Sequence, residues 1–228
     1  MRRLIYNVLF ILCLLIVGYG TYQLISGQDE YRQAQIEYKK LHEKVQHADK
    51  IDFEKLKSIN PDIVAWMKVP GTRIDYPVVQ GKDNEEYLHK TFSGKRNDSG
   101  SIFLDTKCKR NFTSGNSIFY GHHMKDGSMF ADLVKFRKKE FVKKNQEIIL
   151  YFPKETKHLT IVAAYAAQPE KIPIDFENEA KLYKYEKQIR KKSCISSPDL
   201  FGKLYTFVTC SYERDNNRTY VYAVEKEE

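Results

Sequence analysis

The sequence predicts a mainly β fold: an eight-stranded barrel with antiparallel or mixed pairing and helices at its periphery. Three observations predict it. Short runs rich in β-branched and aromatic residues recur from Ile63 to Val224, bounded by Gly, Pro, Asn and Asp. These runs, about eight of them, do not alternate regularly with helices as a parallel βαβ sheet would require. The 228 residues suit one domain with attachments, and there is no internal repeat or low-complexity tract.

The elements follow in order. Leu4 to Ile25 is mostly apolar, and Val8 to Val17 is entirely so, approaching the roughly 20 residues that a membrane helix needs. Arg2 and Arg3 precede it and Asp29 and Glu30 follow it. The positive-inside rule then expects a cytoplasmic N-terminus and an extracellular remainder. A cleaved signal peptide is the rival reading, although Ser26-Gly27 is a weak cleavage site. The polar stretch Gln28 to Lys50 carries Tyr31, Ile36, Tyr38, Leu41 and Val45 at loosely helical spacing. It reads as a helical spacer, or as a solvated segment that does not touch the domain. Asp52 to Ile59 reads as a short helix capped by Asp52 and ended by Asn60-Pro61.

Strands are expected at Ile63 to Val69 and Ile74 to Val79, with Pro77 marking an edge or bulge in the second. Asn84 to Phe92 reads as a short helical turn. Gly100 to Leu104 and Ser117 to Tyr120 are further strands, and Ser128 is placed to cap a helix running to about Lys139. Glu147 to Phe152 and Leu159 to Tyr165 are strands again. A long insertion, Ala166 to Lys203, contains a helix around Glu177 to Lys192. The last two strands are Leu204 to Tyr212 and Thr219 to Val224.

The formal charge is +8; without the first 27 residues, 36 basic side chains face 30 acidic ones. That excess suits an anionic surface such as a cell wall or lipid headgroups. The lysines are scattered and no nucleic-acid motif is present, so no nucleic-acid partner is expected. Of four cysteines, Cys13 lies in the apolar run, which leaves Cys108, Cys194 and Cys210. An odd number cannot all pair within the chain. No CxxC or Cys/His ligand spacing suggests zinc.

Three residues at strand ends could share one site. Cys210 closes one strand, Arg218 opens the next eight residues later, and His122 follows Tyr120-Gly121 at a third. A thiolate is favoured near a cation, a histidine can deliver a proton to a leaving amine, and an arginine can steady a developing oxyanion. His122 and His123 would face opposite ways in a strand, so at most one of them serves.

Thr209-Cys210, Tyr120-Gly121-His122 and Arg218, in this order and spacing, resemble the sortases, membrane-anchored cysteine transpeptidases of Gram-positive bacteria. The helix-bearing insertion, the helices before the first strand, the run Tyr120 to Phe130 and the eight-residue gap from Cys210 to Arg218 resemble class B. The resemblance covers about Ile51 to Val224 plus the apolar segment. It implies a sortase-type eight-stranded barrel over residues 51–228, a membrane anchor over 1–27 and a polar helical spacer over 28–50. It implies Cys210 as nucleophile, His122 as acid/base, Arg218 as electrostatic clamp, and Asn84, Leu88, Tyr120 and Thr209 as substrate-binding residues. Asp126 is then a loop residue, and Ser211 stands where some class B members carry an acid. The implied substrate is a sorting-signal peptide of the NPxTx or LPxTG kind. The implied acceptor is an amine of the peptidoglycan cross-bridge or lipid II. No cofactor is implied, and no compact acidic cluster suggests calcium. A pilin polymerase using a pilin lysine, a plain cysteine protease and a non-catalytic wall-binding barrel are the alternatives.

Overall fold

The computed structural model describes residues 2–47, 50–196, 198–210 and 216–225, without the side chains of 23–28, 30, 47 and 210. Ser211 and Arg214 lie outside the described residues. Helix α1 runs unbroken from Arg2 to Val45, 44 residues, or about 66 Å at 1.5 Å per residue. Its first half, Arg2–Tyr22, is long and apolar enough to cross a membrane, and none of it is buried. Its second half is not a solvated spacer. Ala34, Tyr38, Leu41 and Val45 are buried, an i, i+4, i+7, i+11 stripe that turns one helix face onto the barrel. Ile36, off that stripe, is exposed.

A two-residue ribbon pairs β1 (Gln46–His47) with β2 (Lys50–Ile51). It leads into α2 (Phe53–Ile59), whose cap is the predicted one: the Asp52 carboxylate accepts from Lys55 N–H at 2.9 Å. The barrel strands follow: β3 (Ile63–Lys68), β4 (Asp75–Val79), β5 (Ile102–Leu104), β6 (Asn116–Tyr120), β7 (Glu147–Tyr151), β8 (Thr156–Ala167), β9 (Leu204–Cys210) and β10 (Arg218–Glu225). They close in the order β3-β4-β5-β6-β9-β10-β8-β7. β4–β5 and β6–β9 pair in parallel, and the other contacts are antiparallel. Pro77 pairs with Trp66 of β3, while β5 joins β4 only at Val78 and Val79. The proline therefore sits where its strand has one neighbour, an edge position of the kind the sequence suggested. Helix α4 (Glu179–Lys192) is capped by Asn178, which accepts from Lys181 N–H. It lies against the barrel where the Tyr185 and Tyr222 hydroxyls meet at 3.2 Å.

Two local expectations fail for physical reasons. Asn84 to Phe92 forms turns and no helix. The carbonyls a helix would use are taken by distant donors: Tyr87 O by Ser101 N–H and His89 O by Asn97 N–H, with Leu88 O facing His122. Ser128 does not cap a helix. Its hydroxyl and its N–H both bond to Asp126 Oδ1, at 2.6 and 2.8 Å, and Gly127 and Met129 have positive φ, which interrupts helical winding. A 3₁₀ helix starts only at Ala131 and ends at Arg137; a short α3 (Lys139–Val142) follows the extended Lys138.

Candidate active site

The parallel contact between β6 and β9 is what assembles the site. Tyr120 is level with Val208, and the ladder continues one step, with Gly121 N–H donating to Val208 O at 3.3 Å. His122 therefore leaves β6 beside the end of β9. On the other flank of β9, Cys210 is the direct ladder partner of Arg218, and Thr209 of Thr219. Cys210, the last residue of β9, thus has the histidine-bearing strand on one side and the arginine-bearing strand on the other.

Against this junction lies a cleft of ≈ 270 Å³ whose lining includes Asn84, Leu88, Tyr120, Thr209, His122 and Arg218. Every predicted site residue whose side chain is described therefore borders one cavity. Phe103 and Val208 also line it; both read in the sequence as ordinary core positions of β-strands, and no signal set them apart. A larger cleft, ≈ 670 Å³ between α1 and residues 91–97, is lined by neither cysteine nor histidine. Among the described residues, no group of three or more His, Cys, Asp or Glu converges as a metal site.

The cleft wall is held by Asp105, which no sequence signal set apart. Its buried carboxylate accepts from Tyr120 Oη at 3.2 Å, Asn84 Nδ2 at 3.1 Å and Lys107 N–H at 2.8 Å. Asn84 Oδ1 in turn accepts from Thr106 N–H at 2.9 Å. Burial, reinforced by the Asp105 charge, pushes the Tyr120 phenol well above its ordinary value against the opposing pull of Arg218, so Tyr120 remains a neutral donor. The Thr209 hydroxyl is buried and has no hydrogen-bond partner among the described residues.

His122 Nε2 lies 2.8 Å from Leu88 O. A carbonyl only accepts, so Nε2 carries the hydrogen and Nδ1 is the nitrogen left for chemistry. The His89 ring stands 5.9 Å from that of His122. The other thiols are elsewhere. Cys108 is buried between Asn116 O and Ile118 N–H, and burial pushes its thiol up to about 11. Cys13 and Cys194 are exposed.

Comparison with known proteins agrees with this architecture. A sortase-domain family model matches residues 67–226. Sortase B of Staphylococcus aureus is 33% identical, over 98% of this chain and 97% of its own length. The solved S. aureus sortase B–substrate complex superposes with a TM-score of 0.80 at 32% identity, covering 87% of this chain and 98% of that one. Sortase B of Clostridium perfringens does so with a TM-score of 0.73 at 36% identity, covering 77% and 100%. With a closed mixed barrel, a cysteine at the end of β9 and the likeness running nearly the whole length of a class B enzyme, the chain belongs to the sortases, the cysteine transpeptidases, and within them to the class B kind.

Proposed function

We propose that the chain cleaves a C-terminal sorting signal of the NPxTx or LPxTG kind after its threonine and joins the new carboxyl end to an amine of the peptidoglycan cross-bridge or lipid II. One observation carries the residue assignment: Cys210 ends β9 between the strands bearing His122 and Arg218, beside the cleft lined by Asn84, Leu88, Tyr120 and Thr209. The similarity to S. aureus sortase B, solved as a substrate complex, supports a substrate-binding role for this chain.

In the first step the Cys210 thiol passes its proton to His122 Nδ1, and the resulting thiolate attacks the threonine carbonyl carbon. The oxygen gains negative charge, which the Arg218 guanidinium faces. The C–N bond breaks, the leaving amine takes a proton from His122 Nδ1, and a thioester remains on Cys210. In the second step the acceptor amine attacks that thioester and gives its proton to His122. The C–S bond breaks and the thiolate returns. Asn84 and Tyr120, tied to Asp105, present fixed polar edges to the peptide, while Leu88 and Val208 form its apolar floor. The apolar half of α1 is the membrane anchor, with the N-terminus cytoplasmic and the barrel outside.

The test is a panel of sorting-signal peptides incubated with the protein with and without an added amine, products read by mass spectrometry. Wild type is expected to give cleavage at threonine, and an amide product when amine is present. Cys210→Ala is expected to give neither while retaining its melting temperature. Cleavage by Cys210→Ala defeats the assignment.

A further inference from the structure

Helix α1 reaches the candidate base through three contacts in series. Tyr38, on its buried face, donates its hydroxyl hydrogen to Gly100 O at 2.8 Å and accepts from Phe92 N–H at 3.3 Å, with Ser101 Oγ at 3.1 Å. Gly100, at φ +58, packs its bare Cα against the neighbouring turn: a Cβ there would come 2.5 Å from Leu88 O and 2.7 Å from Tyr87 O. Leu88 O is the acceptor that faces His122 Nε2. The turn carrying Leu88 is tied to Gly100 again through Ser101 N–H to Tyr87 O at 3.0 Å and Ser101 Oγ to Lys90 O at 2.8 Å.

We propose that Tyr38 is a positioning residue for the transpeptidase reaction: its hydroxyl, through Gly100 and the Leu88 carbonyl, sets the tautomer and place of His122. The inference rests on the reading of His122 as the acid/base. Residues 84–101 form turns, bends and one isolated bridge, with no helix or strand to stiffen them, so their shape depends on such cross-links. The Tyr38 hydroxyl grips both limbs of the segment, one at Phe92 and the other at Gly100. Removing it leaves the Gly100 carbonyl and the Phe92 N–H without that partner, and the Leu88 carbonyl is free to move away from the ring. An Nε2–H without its acceptor keeps a smaller advantage over Nδ1–H, and Nδ1 is then partly blocked as the working nitrogen. A second tie runs from the same helix to the loop beyond His122, where Gln35 Nε2 donates to Asp126 Oδ2 at 2.7 Å.

The experiment uses the full chain in detergent micelles with ¹⁵N-labelled imidazoles, the His122 signals being identified by their loss in His122→Gln. Wild-type His122 is expected to show the neutral Nε2–H pattern, and Tyr38→Phe a mixture of the two tautomers. Peptide-cleavage kcat is expected to fall about tenfold in Tyr38→Phe, with KM within about twofold, because the loss is one of alignment of the reacting group. His42→Ala is the control. It removes a different α1 contact, His42 Nε2 to Asp75 Oδ2 at 3.1 Å, and is expected to lower the melting temperature while leaving the His122 signals and kcat unchanged. A Tyr38→Phe protein with wild-type His122 signals and wild-type kcat overturns the inference, whatever its melting temperature. So does a His42→Ala protein that disturbs His122 as much. If Tyr38→Phe alters the His122 tautomer but wild type cleaves no peptide, the structural coupling stands and the catalytic reading fails.

Discussion

Arg218 lies opposite Cys210 in the β9–β10 ladder and borders the cleft, so its guanidinium is held by a strand and not by a loop. If its planar fork holds the substrate carbonyl, lysine cannot replace it, because an ammonium keeps the charge but not the paired donors. Arg218→Lys is therefore expected to lose about 10²–10³-fold in peptide-cleavage kcat, the scale of one oxyanion donor. A fully active Arg218→Lys enzyme would show that charge alone suffices. The two adjacent histidines differ in the same local way. His122 faces Leu88 O across the cleft, whereas His123 forms an isolated bridge with Met129 in the following loop. His122→Ala is expected to lose about 10²–10⁴-fold in kcat and His123→Ala far less. Equal losses in the two variants would reverse the assignment.

At the scale of the element, α4 holds a group that the proposed chemistry does not use. Glu186 is fully buried on the helix; one carboxyl oxygen accepts from Gly202 N–H at 3.1 Å and the other has no partner among the described residues. Burial pushes its carboxyl above the ordinary range, against the pull of Gly202 N–H and Arg190. A raised folded-state value means that the protonated form suits the fold. The stability contribution is therefore whole below the unfolded-state value of about 4.3 and is lost as pH rises through the folded one. Glutamine is neutral throughout. Glu186→Gln is expected to melt about 2–4 °C above wild type near neutral pH, with the gap closing as the buffer approaches about pH 4. Thermal melts across that range decide it, and a gap independent of pH would show that Glu186 does not titrate against folding. α4 also illustrates how far an element is legible: a helix around Glu177 to Lys192 is expected from local chemistry and is found at Glu179–Lys192, whereas its docking on Tyr222 is not legible there.

For the whole molecule, closure of the barrel and formation of the site are the same event. The seam is the parallel β6–β9 contact, where Phe119 stacks on Phe207 with ring centroids 4.9 Å apart and Phe130 approaches edge-on at 6.4 Å. Phe207 is fully buried, so Phe207→Ala is expected to cost about 3–5 kcal/mol of stability, measurable by denaturant titration. It is also expected to slow peptide cleavage, because this seam holds the strand of Cys210 beside that of His122. A variant equally unstable but fully active would uncouple the seam from the site.

The sequence by itself determined the strands, most helix ends and the residues that could do chemistry. Each of these rests on local physics: β-branched and aromatic runs, the cap at Asp52, a break at Asn60-Pro61, and the reactivity of thiol, imidazole and guanidinium. Only the tertiary structure decided which strands meet. Cys210 and Arg218 share a hairpin and are close in sequence, but His122 reaches them through a parallel pairing across more than eighty residues, and no local period encodes that. The same long-range bonding unmade two local expectations, since the carbonyls of 84–92 and the hydroxyl of Ser128 found partners better than a helix. It also supplied Asp105, whose carboxylate looks like one more polar loop residue until Tyr120 and Asn84 close on it. Burial gives such a group its worth, and burial is a property of the assembled barrel.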